Sequence, residues 1–190
     1  MKNLTLVLSL LLASLTYAAP EIGQTLPPFT AQTADGKTVK LSDFAGKVVV
    51  LEWYNPECPF SRKFYSTGKM PEFQKQVIAQ GAIWLSINSG GKIADLKSSA
   101  ASDKNAATAV INDADGKLGK SYGAKTTPHC FVIGKDGKLI YRGAIDSVSS
   151  AKPSDIDGAT NYVLAAVTAA VSGKTPTVPS TKPYGCSVKY

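Results

Sequence analysis

The sequence predicts a three-layer α/β domain, in which a mixed central sheet carries helices on both faces. Residues 48–54 ("VVVLEWY") form a continuous β-branched and aromatic run without alternation, as in a strand that is covered on both faces, and residues 82–89 ("AIWLSINS") predict another buried strand. Helix-like segments separate such strands, and a hairpin and a helix end the pattern. Strands that alternate with helices in this way favour a sheet sandwiched between two helical layers.

A β-hairpin is predicted ahead of the first buried strand. Two short extended runs flank the turn "ADGK" at residues 34–37, and Ser42 then suits the cap of a brief helix. After the buried strand, Pro59 suits the first position of a helix that Gly68 and Pro71 interrupt. We therefore expect a hairpin, a buried strand and two successive helical pieces.

The second half of the chain continues the pattern more weakly. Residues 91–107 predict at most one weak helix, and residues 108–113 predict a strand. A short helix that ends at Gly123 and a hairpin that turns at residues 136–137 follow. The last helix is expected to start at a cap formed by Ser154 or Asp155 and to end at Gly173.

The first eighteen residues have the pattern of a secretory signal peptide. A lysine precedes the apolar run at residues 4–15, and small residues suit cleavage near Ala18 or Ala19. The run is shorter than the ~20 residues that a membrane-spanning helix needs. We expect an exported protein, periplasmic or secreted, with no membrane segment after cleavage.

The sequence of the mature part predicts one domain at residues 19–173. An extended tail with three prolines is predicted at residues 174–190. Roughly 170 residues suffice for one adequate core. The formal charge of +7 comes from dispersed lysines without an arginine-rich stripe, so nucleic acid is not an expected partner. Nothing in the pattern indicates an oligomeric state.

Three cysteines, Cys58, Cys130 and Cys186, are the chief candidates for chemistry. In an oxidising compartment cysteines are paired or kept for reactions, and three of them permit one disulfide in three pairings. Cys58 precedes Pro59 at the start of a predicted helix, where backbone N–H groups favour a thiolate. Arg62 and Lys63 add positive charge nearby. The alternative is a buried cysteine that packs as a small hydrophobe.

The run "CPFS" lacks the second cysteine of a C-x-x-C motif, because Ser61 stands in that position. A mixed disulfide on Cys58 must then be resolved by Cys130, by Cys186, by an outside thiol or not at all. Cys186 is either a resolving thiol or half of a fixed disulfide that anchors the tail, and connectivity does not follow from sequence. Cys130 is expected to be a packed cysteine of a strand rather than a second thiol of the site.

A Thr-Pro step in "KTTPHCFV", residues 125–132, stands directly before a buried strand, which favours a cis bond or a strand that begins there. With Cys-Pro at a helix start, this pattern resembles the thioredoxin fold. The resemblance extends to the exported redoxins of the AhpC/TSA, peroxiredoxin-like group. It implies that Thr127 and Pro128 lie beside the nucleophile Cys58 and present a partner chain to it, with Pro59, Arg62 and Asn55 in support.

The resemblance implies a thiol-disulfide oxidoreductase that acts on a disulfide or an oxidised sulfur. Its partner is a thiol or disulfide protein, or a small oxidant, and it needs no cofactor and no metal. Peroxide reduction is the first alternative, but the peroxiredoxin proline and threonine positions hold Leu51 and Asn55. The arginine position falls in residues 126–128, so Arg62 or Arg142 would have to substitute.

A copper-binding or protein-binding module without catalysis is the second alternative. His129 is the only histidine, and it could converge with Cys58 and Cys130, since thiolate and imidazole suit copper.

Overall fold

The computed structural model describes residues 19–190, and the predicted signal peptide lies outside these described residues. None of the helices in this range is long and apolar enough to cross a membrane.

Seven strands form one mixed sheet in the order β2-β1-β5-β4-β3-β7-β8. Parallel pairing joins β3 to β4 and β4 to β5, whereas the pairs at the two edges are antiparallel. The strands are β1 (Thr30–Thr33), β2 (Thr38–Lys40), β3 (Val49–Trp53), β4 (Ile83–Ser89), β5 (Ala109–Asp113), β7 (His129–Ile133) and β8 (Leu139–Gly143). A separate two-stranded sheet pairs β6 (Thr126–Thr127) with β9 (Cys186–Ser187).

Helices cover both faces of the large sheet, as the sequence predicts. They are α1 (Pro59–Tyr65), α2 (Lys69–Ala79), α3 (Leu96–Ser102), α4 (Lys117–Tyr122) and α5 (Tyr162–Val171). Side chains of α1, α2, α3 and α5 share one core with Val50 and Val132, while α4 packs on the other face with Leu51 and Phe131. Successive residues of β3 thus enter opposite cores, which is why its sequence shows no alternation.

Several local predictions are confirmed. The hairpin of β1 and β2 extends the sheet beside β5. Gly68 separates α1 from α2 with a φ of 76°, a left-handed conformation that glycine adopts without a Cβ clash. Gly123 ends α4 in the same region of φ and ψ.

Three local predictions are wrong. Pro71 does not interrupt a helix, because it lies in the first turn of α2, where its missing N–H costs nothing. Ser42 lies inside a short 3-10 helix (Leu41–Phe44) and does not cap it. Ser154 and Asp155 close a 3-10 turn, and α5 starts seven residues later, where the Asn161 side chain accepts a hydrogen bond from the Leu164 N–H at 2.9 Å.

Candidate functional site

Cys58 ends a tight turn that leads from β3 into α1. The Asn55 carbonyl accepts a hydrogen bond from the Cys58 N–H at 3.1 Å, and the Asn55 side chain accepts one from the Glu57 N–H at 2.8 Å. Pro59 is the first residue of α1, so Cys58 occupies the N-cap with extended backbone angles. The turn therefore fixes the direction of the thiol, and Asn55 is the residue that shapes the turn.

The Thr127-Pro128 step lies directly against Cys58. Its peptide bond is cis, and the Cys58 thiol donates a hydrogen bond to the Thr127 carbonyl at 3.0 Å. The Thr126 hydroxyl donates to the Pro128 carbonyl at 2.9 Å, which holds the loop closed. Among the described residues, the buried Thr127 hydroxyl has no hydrogen-bond partner, so it is available to an ionised sulfur.

Cys186 reaches the same place from the other end of the chain. The tail runs antiparallel to the Thr126–Thr127 strand, and Cys186 is the register partner of Thr127. All three cysteines are reduced, and Cys58 is only 2% exposed to solvent. The structure thus brings Cys58, Thr127, Pro128 and Cys186 together.

The two neighbouring thiols differ in acidity. Burial disfavours the Cys58 thiolate, but the Cys186 and Thr127 side chains and the Ser61 and Cys186 N–H groups lie close enough to donate to an ionised sulfur, and the pKa of Cys58 lies below its ordinary value. Burial and the hydrogen bond to Cys58 raise the pKa of Cys186 to about 11. Cys58 is therefore the more acidic thiol of the pair, and Cys186 is the thiol that can donate to its thiolate.

The two basic residues that were expected to favour the Cys58 thiolate lie in different environments. Arg62 is exposed. Lys63 is fully buried and lies 3.1 Å from a carboxylate oxygen of Asp146, so its charge is already paired. The groups that stabilise the Cys58 thiolate lie instead in the first turn of α1, in the Thr127 loop and in the tail.

Cys130 differs from Cys58 and Cys186 because it is a residue of the hydrophobic core. It is fully buried beside Glu52 in the register of β3 and β7. Burial raises the pKa of Cys130 well above its ordinary value, so it stays a neutral thiol.

His129 faces the opposite side of β7 from Cys130, where it packs on Phe131 with ring centroids 4.5 Å apart. Its Nδ1 accepts a hydrogen bond from the Lys125 N–H at 3.2 Å, and burial lowers the pKa of His129 to about 3. Within residues 19–190, no three or more His, Cys, Asp or Glu side chains are grouped so that they could hold a metal ion.

The residues considered for peroxide binding are engaged elsewhere. Leu51 is buried in the core, and the Asn55 side-chain oxygen is occupied by the Glu57 N–H. The Arg142 guanidinium donates to the Glu21 carboxylate at 2.9 Å and to the Pro20 carbonyl at 2.7 Å.

Sequence reasoning missed two sets of buried ionisable groups behind the site. Glu52 is fully buried and accepts hydrogen bonds from Tyr65, Trp84 and Ser86, and burial raises the pKa of its carboxyl. A glutamate inside the apolar run of residues 48–54 was the available signal. The second group is the Lys63–Asp146 pair, which joins residues 83 positions apart and leaves no local pattern.

Comparisons with known proteins agree with this geometry. Residues 22–142 match the model of the AhpC/TSA family. The chain is 33% identical over 129 residues to "Thiol-disulfide oxidoreductase ResA" of Bacillus thuringiensis subsp. konkukian, and the match covers 63% of this chain and 68% of the relative.

Two solved structures carry the same fold. One is a candidate thiol:disulfide interchange protein DsbE from Chlorobium tepidum, with a TM-score of 0.56 and 28% identity over 65% of this chain and 85% of that one. The other is the exposed lipoprotein thioredoxin Etrx1 of Streptococcus pneumoniae strain TIGR4, with a TM-score of 0.51 and 28% identity over 61% and 87%. These likenesses confirm the thioredoxin fold predicted from the Cys-Pro and Thr-Pro steps.

Proposed function

Since this chain belongs to the AhpC/TSA family and is a thiol-dependent oxidoreductase of thioredoxin fold, we propose that Cys58 attacks a disulfide in an exported partner protein and that Cys186 resolves the mixed disulfide. The predicted signal peptide supports export to the periplasm or beyond. We also propose that residues 19–173 form the domain and that residues 174–190 form its tail.

The reaction follows two exchanges in which electrons balance. The Cys58 thiolate attacks one sulfur of the partner disulfide, a Cys58–partner bond forms, and the other partner sulfur leaves as a thiolate that takes up a proton. Cys186 then loses its proton and attacks the Cys58 sulfur. The Cys58–Cys186 disulfide forms, the reduced partner leaves, and an outside dithiol must return the pair to the reduced state.

The single observation that carries the proposal is the convergence of both thiols on Thr127. The Cys58 sulfur is 3.0 Å from the Thr127 carbonyl oxygen, and Cys186 is the strand partner of the same residue. The acidity order supports the assigned roles, because a lowered pKa suits the attacking thiol and a raised one keeps Cys186 protonated until it is needed. Pro59 and Asn55 position the turn, and Thr127 and Pro128 form the surface that the partner meets.

The test measures the reduction of insulin disulfides with a dithiol reductant in three variants, each of which replaces one cysteine by serine. Cys58→Ser is expected to abolish turnover, Cys186→Ser to accumulate a mixed disulfide at Cys58, and Cys130→Ser to leave the rate unchanged. Turnover that survives Cys58→Ser would overturn the proposal. Rapid sulfenic acid formation at micromolar peroxide without disulfide exchange would favour the peroxidase alternative instead.

A further inference from the structure

The end of the tail fills the groove that an incoming chain would need. The Thr126–Thr127 strand has β9 as its ladder partner, and the Val188 N–H donates to the Lys125 carbonyl at 3.1 Å beyond the ladder. Once the tail leaves, a strand edge of this kind binds extended peptides through main-chain hydrogen bonds. The resident segment, residues 184–186, therefore shows which side chains the groove accepts.

The position before the cysteine accepts glycine only. Gly185 has a φ of 136°, and a Cβ built there would lie 2.1 Å from the Thr127 carbonyl oxygen. That oxygen is backbone and also accepts the Cys58 hydrogen bond, so moving it away would break that contact. A chain bound in the register of the tail must have glycine directly before its cysteine.

The position before the glycine lies in a built pocket. The Tyr184 hydroxyl donates to Asp146, which is 3% exposed and is also paired with the fully buried Lys63. The Lys63 ammonium lies 5.7 Å from the centre of the Tyr184 ring, and the Phe60 ring contacts its edge at a centroid distance of 5.9 Å. An aromatic ring with a hydroxyl donor satisfies all of these groups together.

We propose that the groove recognises extended Tyr-Gly-Cys segments of partner proteins and that the tail is its resident substitute. A partner cysteine that forms a mixed disulfide with Cys58 would then take the place of Cys186, with glycine against Thr127 and tyrosine on Asp146, and Cys186 would resolve that disulfide as the tail returns to the groove. The inference depends on the proposed role of Cys58 as nucleophile, and it adds the sequence that the nucleophile selects.

The probe is a set of six-residue peptides, Pro-Tyr-Gly-Cys-Ser-Val and its relatives, each with its cysteine in a disulfide with thionitrobenzoate. The Cys58 thiolate attacks the peptide sulfur, a Cys58–peptide bond forms, and the coloured thionitrobenzoate anion leaves. The full chain carries Cys186→Ser, so that no resolving thiol competes. A second version adds Gly185→Ala to displace the tail, and Gly173→Ala, which has a positive φ and no atom within 4 Å, is its control.

We expect the Tyr-Gly-Cys peptide to release thionitrobenzoate about tenfold faster than the Tyr-Ala-Cys and Ala-Gly-Cys peptides. Gly185→Ala should raise the rate with the preferred peptide, and Gly173→Ala should not. Asp146→Asn should remove the preference for tyrosine over phenylalanine. If a variant fails to fold, the peptide series on the Cys186→Ser protein still decides.

Two results would overturn different parts of the account. Equal rates with all peptides, while Cys58 reacts readily, would overturn the recognition of Tyr-Gly-Cys and leave the nucleophile in place. A Cys58 that reacts neither with the peptides nor with free aromatic disulfide reagent would overturn the proposed function on which the inference depends.

Discussion

The Tyr184 hydroxyl gives the sharpest test of how the tail is held, because Tyr184→Phe removes one hydrogen bond and keeps the ring. The lost bond runs to the buried carboxylate of Asp146, which keeps its ion pair with Lys63 at 3.1 Å and its hydrogen bond from the Val148 N–H. Hydrogen bonds to charged groups contribute about 1.5–3 kcal/mol. Tyr184 is partly exposed, so water replaces part of the lost hydrogen bond, and the lower end of the range corresponds to about a tenfold change in tail docking.

The assay is native-state hydrogen exchange of the Val188 N–H, which bonds the Lys125 carbonyl only while the tail is docked. We expect about tenfold faster exchange at Val188 in Tyr184→Phe and unchanged exchange in the amides of β7. Tyr162→Phe is the matched control, because the Tyr162 hydroxyl has no hydrogen bond among the described residues. Unchanged exchange at Val188, or equal acceleration throughout the sheet, would refute a separately docked tail.

Three further predictions concern charge and acidity at the site. Cys186→Ala should raise the pKa of Cys58, because one hydrogen bond to the thiolate is lost, and iodoacetamide alkylation against pH measures it; an unchanged midpoint would contradict the pairing. The pKa of Glu52 is raised by burial, so its contribution to stability is complete below the ordinary carboxyl pKa and is lost as pH rises through the folded-state value. Glu52→Gln should remove this loss of stability with rising pH, as measured by urea unfolding at a series of pH values. The same pH dependence in Glu52→Gln and in the parent protein would contradict the prediction. Lys63→Met should cost about 3–5 kcal/mol by leaving Asp146 charged and buried, and the double variant with Asp146→Leu should recover much of it; a double-variant loss equal to the sum of the two single-variant losses would show that the pair is not coupled.

The central sheet could be predicted from sequence because its signal is local. The run at residues 48–54 enters two cores at once, so every residue of β3 is apolar except Glu52. Glycines such as Gly68 mark their own turns through a positive φ. The start of α5 could not be placed in this way, since Ser154 and Asn161 are both good caps and only the surrounding fold selects Asn161.

The residues of the candidate site also differ in whether a local sequence pattern reveals them. Cys58 at a helix start and the Thr127-Pro128 step have local signatures, and the structure brings them together. The partner of Lys63 could not be read from sequence, because Asp146 is supplied by a loop far along the chain. The tail was expected to be extended, but its register against Thr127 depends on contacts that no local pattern encodes.

The most direct measurement of the proposed cycle is a single turnover with the fully reduced protein. One equivalent of a protein disulfide is added, the reaction is quenched with acid, and the cysteine pairing is mapped by mass spectrometry of peptides. We expect a Cys58–Cys186 disulfide, a reduced partner and a free Cys130. A Cys58–partner disulfide that persists with Cys186 still free would contradict resolution by the tail.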